Sequence, residues 1–307
     1  MTYDTPLTLQ ACAKINLFLD ITGRRPDGYH LLTGVMQSVS LADTVTISLS
    51  PVDEDSVRLT CSDRALPTDR GNLAFRAAEA FLAHTRADGG RKTALRATVH
   101  IEKHIPYPAG LAGGSTDAAA VLRGLNRLAG EPLDAAALEV LGGKLGADVP
   151  FCIRGGACIT EGVGDILNPC PPLPDCDILI ACAGEGVSTP EAYRALDAAY
   201  GGFAPEFCQP RAEQQNALLS ALAHGDLSGI GAHMFNLFES VILPRHSTAA
   251  GLHAALTAAG ACGVRMSGSG PSVFGLFARG GAGAAYRTLQ SEGIPAWICH
   301  PVTASES

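Results

Sequence analysis

The chain has 307 residues, of which 47% are hydrophobic and 17% are charged, so it is long enough for two ordinary domains with a large core. This composition excludes a mainly disordered protein, and no apolar run reaches the ~20 residues that a membrane-spanning helix needs. The formal net charge of −8 and the lack of a Lys/Arg cluster argue against a nucleic-acid-binding surface.

Hydrophobic periodicity predicts strands and helices in alternation through the first half of the chain. Residues 44–49 alternate polar and apolar side chains, many of them β-branched, and we expect residues 57–61 to form the partner strand. Further strands are predicted at residues 7–13, 16–22, 97–103 and 157–160. Helices are predicted at residues 71–86, 115–129 and 134–145.

The segment 168–174 is the best candidate for a domain boundary. It contains four prolines in seven residues, which neither a helix nor a central strand tolerates. We therefore expect an N-terminal domain at residues 1–167 and a C-terminal domain at residues 168–307. Strands in the second half are predicted at residues 177–182, 263–267, 272–278 and 295–300. Helices are predicted there at residues 189–199, 213–223, 227–243, 247–259 and 281–292.

These elements predict an α+β protein. The ten cysteines are scattered and lack a C-x-x-C pair, which favours buried thiols over a zinc site or a disulfide framework. Residues 1–8 lack the basic-then-apolar pattern of a secretory signal. We therefore expect a cytoplasmic protein that binds neither membranes nor nucleic acid.

The segment 106–120 is a loop rich in glycine and hydroxyl groups that runs into an alanine-rich helix. Gly110, Gly113 and Gly114 allow the backbone to approach a ligand closely. The first turn of a helix leaves backbone N–H groups without partners, so such a loop is an anion site and the usual anion is phosphate. Neither a Walker A loop, a G-x-G-x-x-G fingerprint nor the protein-kinase motifs occur in the chain.

Three ordered motifs resemble those of the GHMP kinase superfamily, named after galactokinase, homoserine kinase, mevalonate kinase and phosphomevalonate kinase. Residues 106–120 are similar to its ATP loop, residues 13–19 to its first motif, and residues 266–275 to its third. Three further segments narrow the resemblance to the branch that phosphorylates a cytidine diphosphate derivative of methylerythritol in the non-mevalonate isoprenoid pathway. These segments are residues 25–30, 146–151 and 161–165.

The resemblance implies a two-domain fold, with an N-terminal domain like domain 2 of ribosomal protein S5 and a ferredoxin-like C-terminal domain. It implies ATP and Mg²⁺ as cofactors, and phosphate transfer to the 2-hydroxyl of a small alcohol bound between the domains. It also leaves open whether Ser115 or Thr116 contacts the ATP-bound Mg²⁺. The ATP-binding residues that it implies are Pro106, Tyr107, Pro108, Ala109, Gly110, Leu111, Ala112, Gly113, Gly114, Ser115 and Thr116.

Lys14 and Asp148 are the candidate catalytic residues. From the pattern alone, Asp148 fits an exposed turn at a helix end equally well, and Lys14 fits a strand-edge lysine that reaches solvent. The resemblance implies that Asp148 orients and deprotonates the alcohol. It implies that Lys14 stabilises the charge that develops on the reacting oxygens. Asn16 shares the strand face of Lys14, which makes it a candidate for a substrate hydrogen bond.

The resemblance further implies a cytidine pocket in which Tyr29 and Tyr193 stack on cytosine and His30 hydrogen-bonds its edge. From the residues alone, Tyr29 and His30 could equally close a turn. The run 267–270 could offer backbone N–H groups to a diphosphate, although an ordinary β-turn has the same composition. The candidate substrate-binding residues are therefore Asn16, Tyr29, His30, Tyr193, Ser267, Gly268, Ser269 and Gly270.

Two other functions stay open at this point. One is a GHMP kinase of the homoserine or mevalonate type, against which the Tyr29–His30 pair argues, and the other is a non-catalytic ligand-binding relative. Residues 236–239 read Asn-Leu-Phe-Glu, where the family usually has N-D-x-E, so Leu237 replaces an acid. The sequence does not define the oligomeric state.

Overall fold

Two long antiparallel strands form the centre of the first half of the chain. The structure, a computed structural model, describes residues 5–87, 91–182, 186–203 and 211–304. Strand β1 (Leu7–Arg24) pairs with β2 (His30–Pro51), and the register shifts at three places along β1. The strands predicted at 7–13 and 16–22 are therefore one continuous strand, and residues 30–43 form a strand that was not predicted. In the missed strand, residues 34–39 are all buried, so the alternation that would mark a strand is absent there.

Five shorter strands complete this sheet. They are β3 (Ser56–Cys61), β4 (Leu95–Glu102), β5 (Ala157–Glu161), β6 (Ile166–Pro169) and β8 (Phe235–Asn236). The order is β3-β4-β2-β1-β8, with β5 paired to β2 and β6 paired to β5. The expectation that residues 57–61 pair with 44–49 is wrong, because β3 pairs in parallel with β4, which lies between them. A parallel pair requires a crossover, and helix α1 (Leu73–Ala87) supplies it.

Three more helices follow in the first half, at α2 (Gly113–Leu128), α3 (Ala135–Gly143) and α4 (Val149–Arg154). Helix α2 packs closely on β2, since a Cβ added at Gly124 would lie 2.3 Å from the Ile47 side chain. The Asp134 carboxylate caps α3 by accepting from the Ala137 N–H. Helix α4 was not predicted, because six residues are too few to show a helical period.

The second half forms a separate antiparallel sheet covered by helices. Its strands are β7 (Cys176–Ala181), β9 (Gly263–Met266), β10 (Val273–Ala278) and β11 (Ala296–Cys299), in the order β11-β7-β10-β9. The helices are α5 (Thr189–Ala199), α6 (Ala212–His224), α7 (Leu227–His233), α8 (Glu239–Ile242), α9 (Ser247–Ala258) and α10 (Gly283–Ser291), with a 3₁₀ turn at Gly201–Phe203. The mixture of sheets and helices confirms the predicted α+β class.

The helix predicted at 227–243 is wrong. Residues 235–236 form β8, which pairs in parallel with Phe18 and Leu19 of β1 and separates α7 from α8. The Leu237 N–H extends this pairing by donating to the Leu19 carbonyl. A tertiary pairing thus overrides the local helical pattern.

All strands of the first sheet except β8 come before β7 in the chain, and β7 is the first strand of the second sheet. The segment 168–174 begins within the last two residues of β6 and ends before β7. Within the described ranges, no helix combines the length and the apolar character that crossing a membrane requires. The nine cysteines of the described ranges form no disulfide, and four of them are buried.

Candidate active site

A cavity of about 860 Å³ lies between the two halves of the chain. The first half contributes β1, the whole segment 106–115 and the residues that precede α4. The second half contributes the start of α5 and part of the third motif. Cavity residues that the sequence singled out include Lys14, Asn16, Asp148, Tyr193, Gly268 and Ser269. One concave surface therefore joins both predicted catalytic side chains to the predicted ATP loop.

Gly110 and Gly114 of the loop are in different structural environments. Gly110 has φ +73°, and a Cβ there would lie 2.1 Å from the Ser267 carbonyl oxygen, so no other residue fits without movement. A Cβ at Gly114 would have no protein atom within 4 Å, because this position opens onto the cavity. Ala112 precedes α2 with φ 61° and gives no side-chain cap. The first N–H groups of α2 are therefore available to an anion.

Ser115 and Thr116 have different surroundings. The Thr116 side chain is buried, and its hydroxyl donates to the Gly113 carbonyl at 2.9 Å. Ser115 lines the cavity. The structure thus places Ser115, and not Thr116, at the surface of the cavity.

Lys14 and Asn16 are linked on one face of β1. Both are 4% exposed, and the Lys14 ammonium donates to Asn16 Oδ1 at 2.6 Å. The Gly268 N–H donates to the same oxygen at 3.0 Å. Because both partners can only donate, they fix Oδ1 as the acceptor and leave the Asn16 NH₂ group to donate to a ligand. The Lys14 backbone N–H also donates to the Leu111 carbonyl, which joins β1 to the loop.

Asp148 lies directly before α4, and its carboxylate makes no capping hydrogen bond to that helix. Burial raises the pKa of Tyr193 to about 12, and the negative charge of Asp148 contributes to that rise. Burial also raises the pKa of Cys152, where Asp148 adds to the effect and Lys14 opposes it. Lys14 and Asp148 both line the cavity, as does Tyr193.

The predicted cytosine residues are only partly brought together. His30 stacks on Tyr193 with ring centroids 4.6 Å apart, and its Nε2 lies 2.7 Å from an Asp197 carboxylate oxygen. Tyr29 is 64% exposed, does not line the cavity, and lies beside the Arg25 guanidinium. The structure therefore pairs His30 with Tyr193, which lines the cavity, whereas neither His30 nor Tyr29 is itself a lining residue.

The third motif is held largely by the protein itself. The Ser267 hydroxyl donates to the Gly110 carbonyl at 3.0 Å, and the Gly270 N–H donates to the Ser267 carbonyl at 2.9 Å. Ser269 contacts the Thr189 hydroxyl at 3.1 Å. Gly268 and Ser269 line the cavity, whereas Ser267 and Gly270 hold the loop in place.

Comparison with known proteins identifies the family. The chain matches two protein-family models. The model described as "GHMP kinases N terminal domain" covers residues 72–156, and the model described as "GHMP kinases C terminal" covers residues 218–294. It is 43% identical to a 4-diphosphocytidyl-2-C-methyl-D-erythritol kinase of Gloeobacter violaceus, with 95% of this chain and 93% of that protein covered. A Clostridium botulinum protein of the same name is 39% identical, with 88% and 91% covered. The chain belongs to the 4-diphosphocytidyl-2-C-methyl-D-erythritol kinase family.

Solved structures agree with this assignment. A crystal structure of 4-(cytidine 5'-diphospho)-2C-methyl-D-erythritol kinase superposes with a TM-score of 0.76 at 34% identity, covering 96% of this chain and 99% of that one. A mevalonate kinase from L. major, with a TM-score of 0.75 at 14% identity and 97% of both chains covered, shows the shared fold alone. The GHMP kinase fold predicted from three motifs is confirmed. The protein is therefore an enzyme, a kinase of this family, and this membership implies that it uses ATP.

A buried charged cluster beside the loop of this kinase was not predicted from the sequence. The Lys103 ammonium contacts both Asp43 and Asp117, the latter at 2.8 Å, and Asp43 also accepts from the backbone N–H groups of His104 and Ile105. Burial raises the pKa of Asp117, and the charge of Asp43 adds to that rise while Lys103 opposes it. Lys103 and Asp117 line the cavity. Asp117 could have been noticed, because it follows the two hydroxyl residues of the loop.

Proposed function

We propose that the protein transfers the γ-phosphoryl group of ATP to the 2-hydroxyl of 4-(cytidine 5′-diphospho)-2-C-methyl-D-erythritol. The products are the 2-phosphate and ADP, and the reaction belongs to non-mevalonate isoprenoid precursor biosynthesis. The observation that carries the proposal is the convergence of Lys14 and Asp148 on the cavity that the loop 106–115 lines. Relatives of this name that match most of both chains support the choice of substrate.

In this proposal Asp148 orients the substrate hydroxyl and accepts its proton as the oxygen attacks the γ-phosphorus. The new oxygen–phosphorus bond forms while the bond to the ADP oxygen breaks. The Lys14 ammonium, held by Asn16, stabilises the charge on the attacking oxygen and the phosphoryl group.

The ATP phosphates lie, in our proposal, against the uncapped first turn of α2 and the loop that precedes it. In such sites Mg²⁺ is usually coordinated by one or two protein ligands and by the phosphates of the nucleotide. This chain fits that pattern, since Ser115 and Asp117 line the cavity and the buried Asp117 Oδ1 has no hydrogen-bond partner in the structure. We assign Ser115 as the hydroxyl ligand. When bound, Mg²⁺ would neutralise phosphate charge.

For the substrate, we propose that Asn16, Gly268 and Ser269 contact the diphosphate–alcohol part. His30 and Tyr193 then form the cytosine side of the site, and Asp197 orients the His30 ring. Tyr29 is exposed and would have to turn towards the cavity to complete the stack.

We also propose that the segment 168–174 separates an N-terminal domain (1–167) from a C-terminal domain (168–307). The end of β6 at Pro169 and the start of β7 at Cys176 support this division. The negative net charge supports a small-molecule kinase that does not act on nucleic acid, and we propose that it works in the cytoplasm.

An ADP-release assay tests the function directly. The cytidine substrate is compared with homoserine and mevalonate, each with ATP and Mg²⁺, and CDP is added as a competitor. We expect turnover of the cytidine substrate alone, with inhibition by CDP. Turnover of homoserine or mevalonate instead would identify another member of the superfamily, and nucleotide binding without any turnover would identify a non-catalytic relative.

A substitution at Asp148 tests the catalytic assignment. We expect Asp148→Asn to lower kcat by about 10²–10⁴-fold, the range of general-base catalysis, with the KM for ATP within about twofold of wild type. Asp53→Asn changes an exposed acid outside the cavity and serves as the matched control. Wild-type turnover in Asp148→Asn would overturn the assignment.

A further inference from the structure

Asn236 is a buried amide whose hydrogen-bonding groups are all used. It is 2% exposed, and its NH₂ group donates to the Met266 carbonyl at 2.7 Å and to the Gly268 carbonyl at 2.8 Å. Its Oδ1 accepts from the Phe238 N–H at 3.0 Å. The side chain thus connects β8, at the edge of the first sheet, to the third motif in the second half.

The residues around Asn236 explain why this segment tolerates the unusual leucine. Leu237 is 3% exposed and packs into an apolar cluster that includes Leu19 and Ile21. Glu239 accepts from the Met266 N–H at 2.6 Å. Asn236 and Glu239 therefore hold the third motif by hydrogen bonds, while Leu237 anchors the segment by packing.

A continuous path of hydrogen bonds leads from Asn236 to the catalytic lysine. The Gly268 peptide, held at its carbonyl by Asn236, donates its N–H to Asn16 Oδ1, and the same oxygen accepts from the Lys14 ammonium. Gly268 also lies directly against Lys14, since a Cβ there would be 3.4 Å from the Lys14 nitrogen. A shift of the Gly268 peptide would therefore move the partner of the ammonium.

We propose that Asn236 is a positioning residue for Lys14, acting through Gly268 and Asn16. Asn236 does not line the cavity, so it acts without touching substrate. This inference rests on the catalytic role of Lys14 in the proposed function. Removal of the Asn236 NH₂ group leaves two carbonyls without their donor, which allows the Gly268 peptide to rotate away from Asn16.

Steady-state kinetics of Asn236→Asp and Asn236→Ala test the proposal. The aspartate keeps the shape and the acceptor for Phe238, but it cannot donate to the two carbonyls. We expect kcat to fall about 10–100-fold, the effect of a small misplacement of catalytic groups, with the KM for ATP within about twofold of wild type. Unchanged kcat in folded Asn236→Asp, with an active wild type, would overturn the inference.

The matched control is Asn126→Ala. Asn126 is also buried and exchanges two hydrogen bonds with the backbone of Leu133, but it lies away from the cavity. We expect it to lower stability like the Asn236 variants and to keep wild-type kcat. If Asn126→Ala lowered kcat equally, the effect at Asn236 would be one of stability and the proposal would be wrong.

A double-mutant cycle with Asn16→Ala separates this pathway from a general structural role. If Asn236 acts through Asn16, its substitution has little further effect on kcat once Asn16 is removed. Additive losses would overturn the proposed pathway. If Asn236→Ala does not fold, Asn236→Asp or Asn236→Ser is combined with Asn16→Ala in its place. An inactive wild-type enzyme would instead refute the proposed function, so the two failures are distinguishable.

Discussion

Single residues of the ATP loop are constrained in different ways, and substitution should separate these constraints. Gly110 combines a positive φ with a backbone oxygen 2.1 Å from where a Cβ would lie, whereas Gly114 faces open space. We expect Gly110→Ala to lower the melting temperature and the activity together. Gly114→Ala should keep the melting temperature and raise the KM for ATP about tenfold or more, because the methyl group enters the nucleotide space. Thermal unfolding and ATP kinetics check both, and a normal KM in Gly114→Ala would contradict the assigned phosphate site.

Ser115 and Thr116 give a second contrast at this scale. Thr116 uses its hydroxyl inside α2, while Ser115 lines the cavity. We expect Ser115→Ala to raise the Mg²⁺ concentration needed for half-maximal activity, and Thr116→Ser to leave it unchanged because the internal hydrogen bond survives. Titration of activity with Mg²⁺ measures both. An equal shift in the two variants would argue against Ser115 as the ligand.

The site residues that belong to short sequence motifs were predicted from the sequence. The loop 106–115, Lys14 and Asp148 were all found in this way, and the structure places them around one cavity. The partners that come from distant segments were not predicted. Asp43 belongs to an unrecognised strand, and Asn236 was noticed for its odd neighbour but not for its hydrogen bonds. Local patterns carry no information about such long-range contacts.

At the scale of secondary structure, most helices and strands were predicted, but the full length of the two long strands and the pairing of β8 were not. Helices α1, α5 and α9 lie within a few residues of their predicted positions. In contrast, two predicted strands proved to be the single strand β1, and residues 30–43 of β2 were not predicted, because residues 34–39 are all buried and show no period of two. The predicted helix 227–243 failed because β8 pairs with β1, a preference that appears only in the folded chain.

One junction between elements should show a clear pH dependence. Asp55, at the start of β3, accepts from both Arg91 nitrogens and from the Leu95 N–H, and the Arg91 contact holds the pKa of Asp55 at about 2. A carboxyl with a depressed folded-state pKa stabilises the fold above its ordinary pKa, and this contribution is lost as the pH falls from about 4 to about 2. Asp55→Asn should therefore destabilise the protein by about 2 kcal/mol at pH 7.

Urea unfolding of wild type and Asp55→Asn across this pH range measures the effect. The difference in unfolding free energy should shrink towards zero near pH 2. A difference that stayed constant with pH would show that the ionised carboxylate is not its source. Asp63→Asn changes an exposed acid in the following turn and is the control.

At the scale of the whole molecule, Gln37 ties together parts of the chain that are far apart in sequence. It is fully buried, accepts from the Leu173 N–H in the proposed interdomain segment, and donates to the Val302 carbonyl near the C-terminal end of the described chain. We expect Gln37→Ala to lower the free energy of unfolding by about 3 kcal/mol, since several buried backbone groups lose their partner. The activity of the folded fraction should be unchanged.

Denaturant titration with parallel kinetics tests this prediction. Gln10→Ala, in the neighbouring strand, removes an exposed glutamine with a weak contact to Thr44 and should change stability by less than about 0.5 kcal/mol. Equal effects of the two variants would contradict the role of Gln37. Such a network could not be predicted from the sequence, where Gln37 lies in an unremarkable stretch of the chain.

Strand β8 comes from the second half of the chain but adds to the sheet of the first half, and it brings Asn236 with it. Chimeras that exchange one half between related kinases would therefore also exchange the β8 edge and one end of the path to Lys14. Recombination at 168–174 should yield an active enzyme only when the incoming half carries both a compatible edge strand and the asparagine. The two halves would therefore have to be exchanged as a matched pair, and one apolar cluster that contains residues of both sheets, such as Ile15 and Ile178, adds to this requirement.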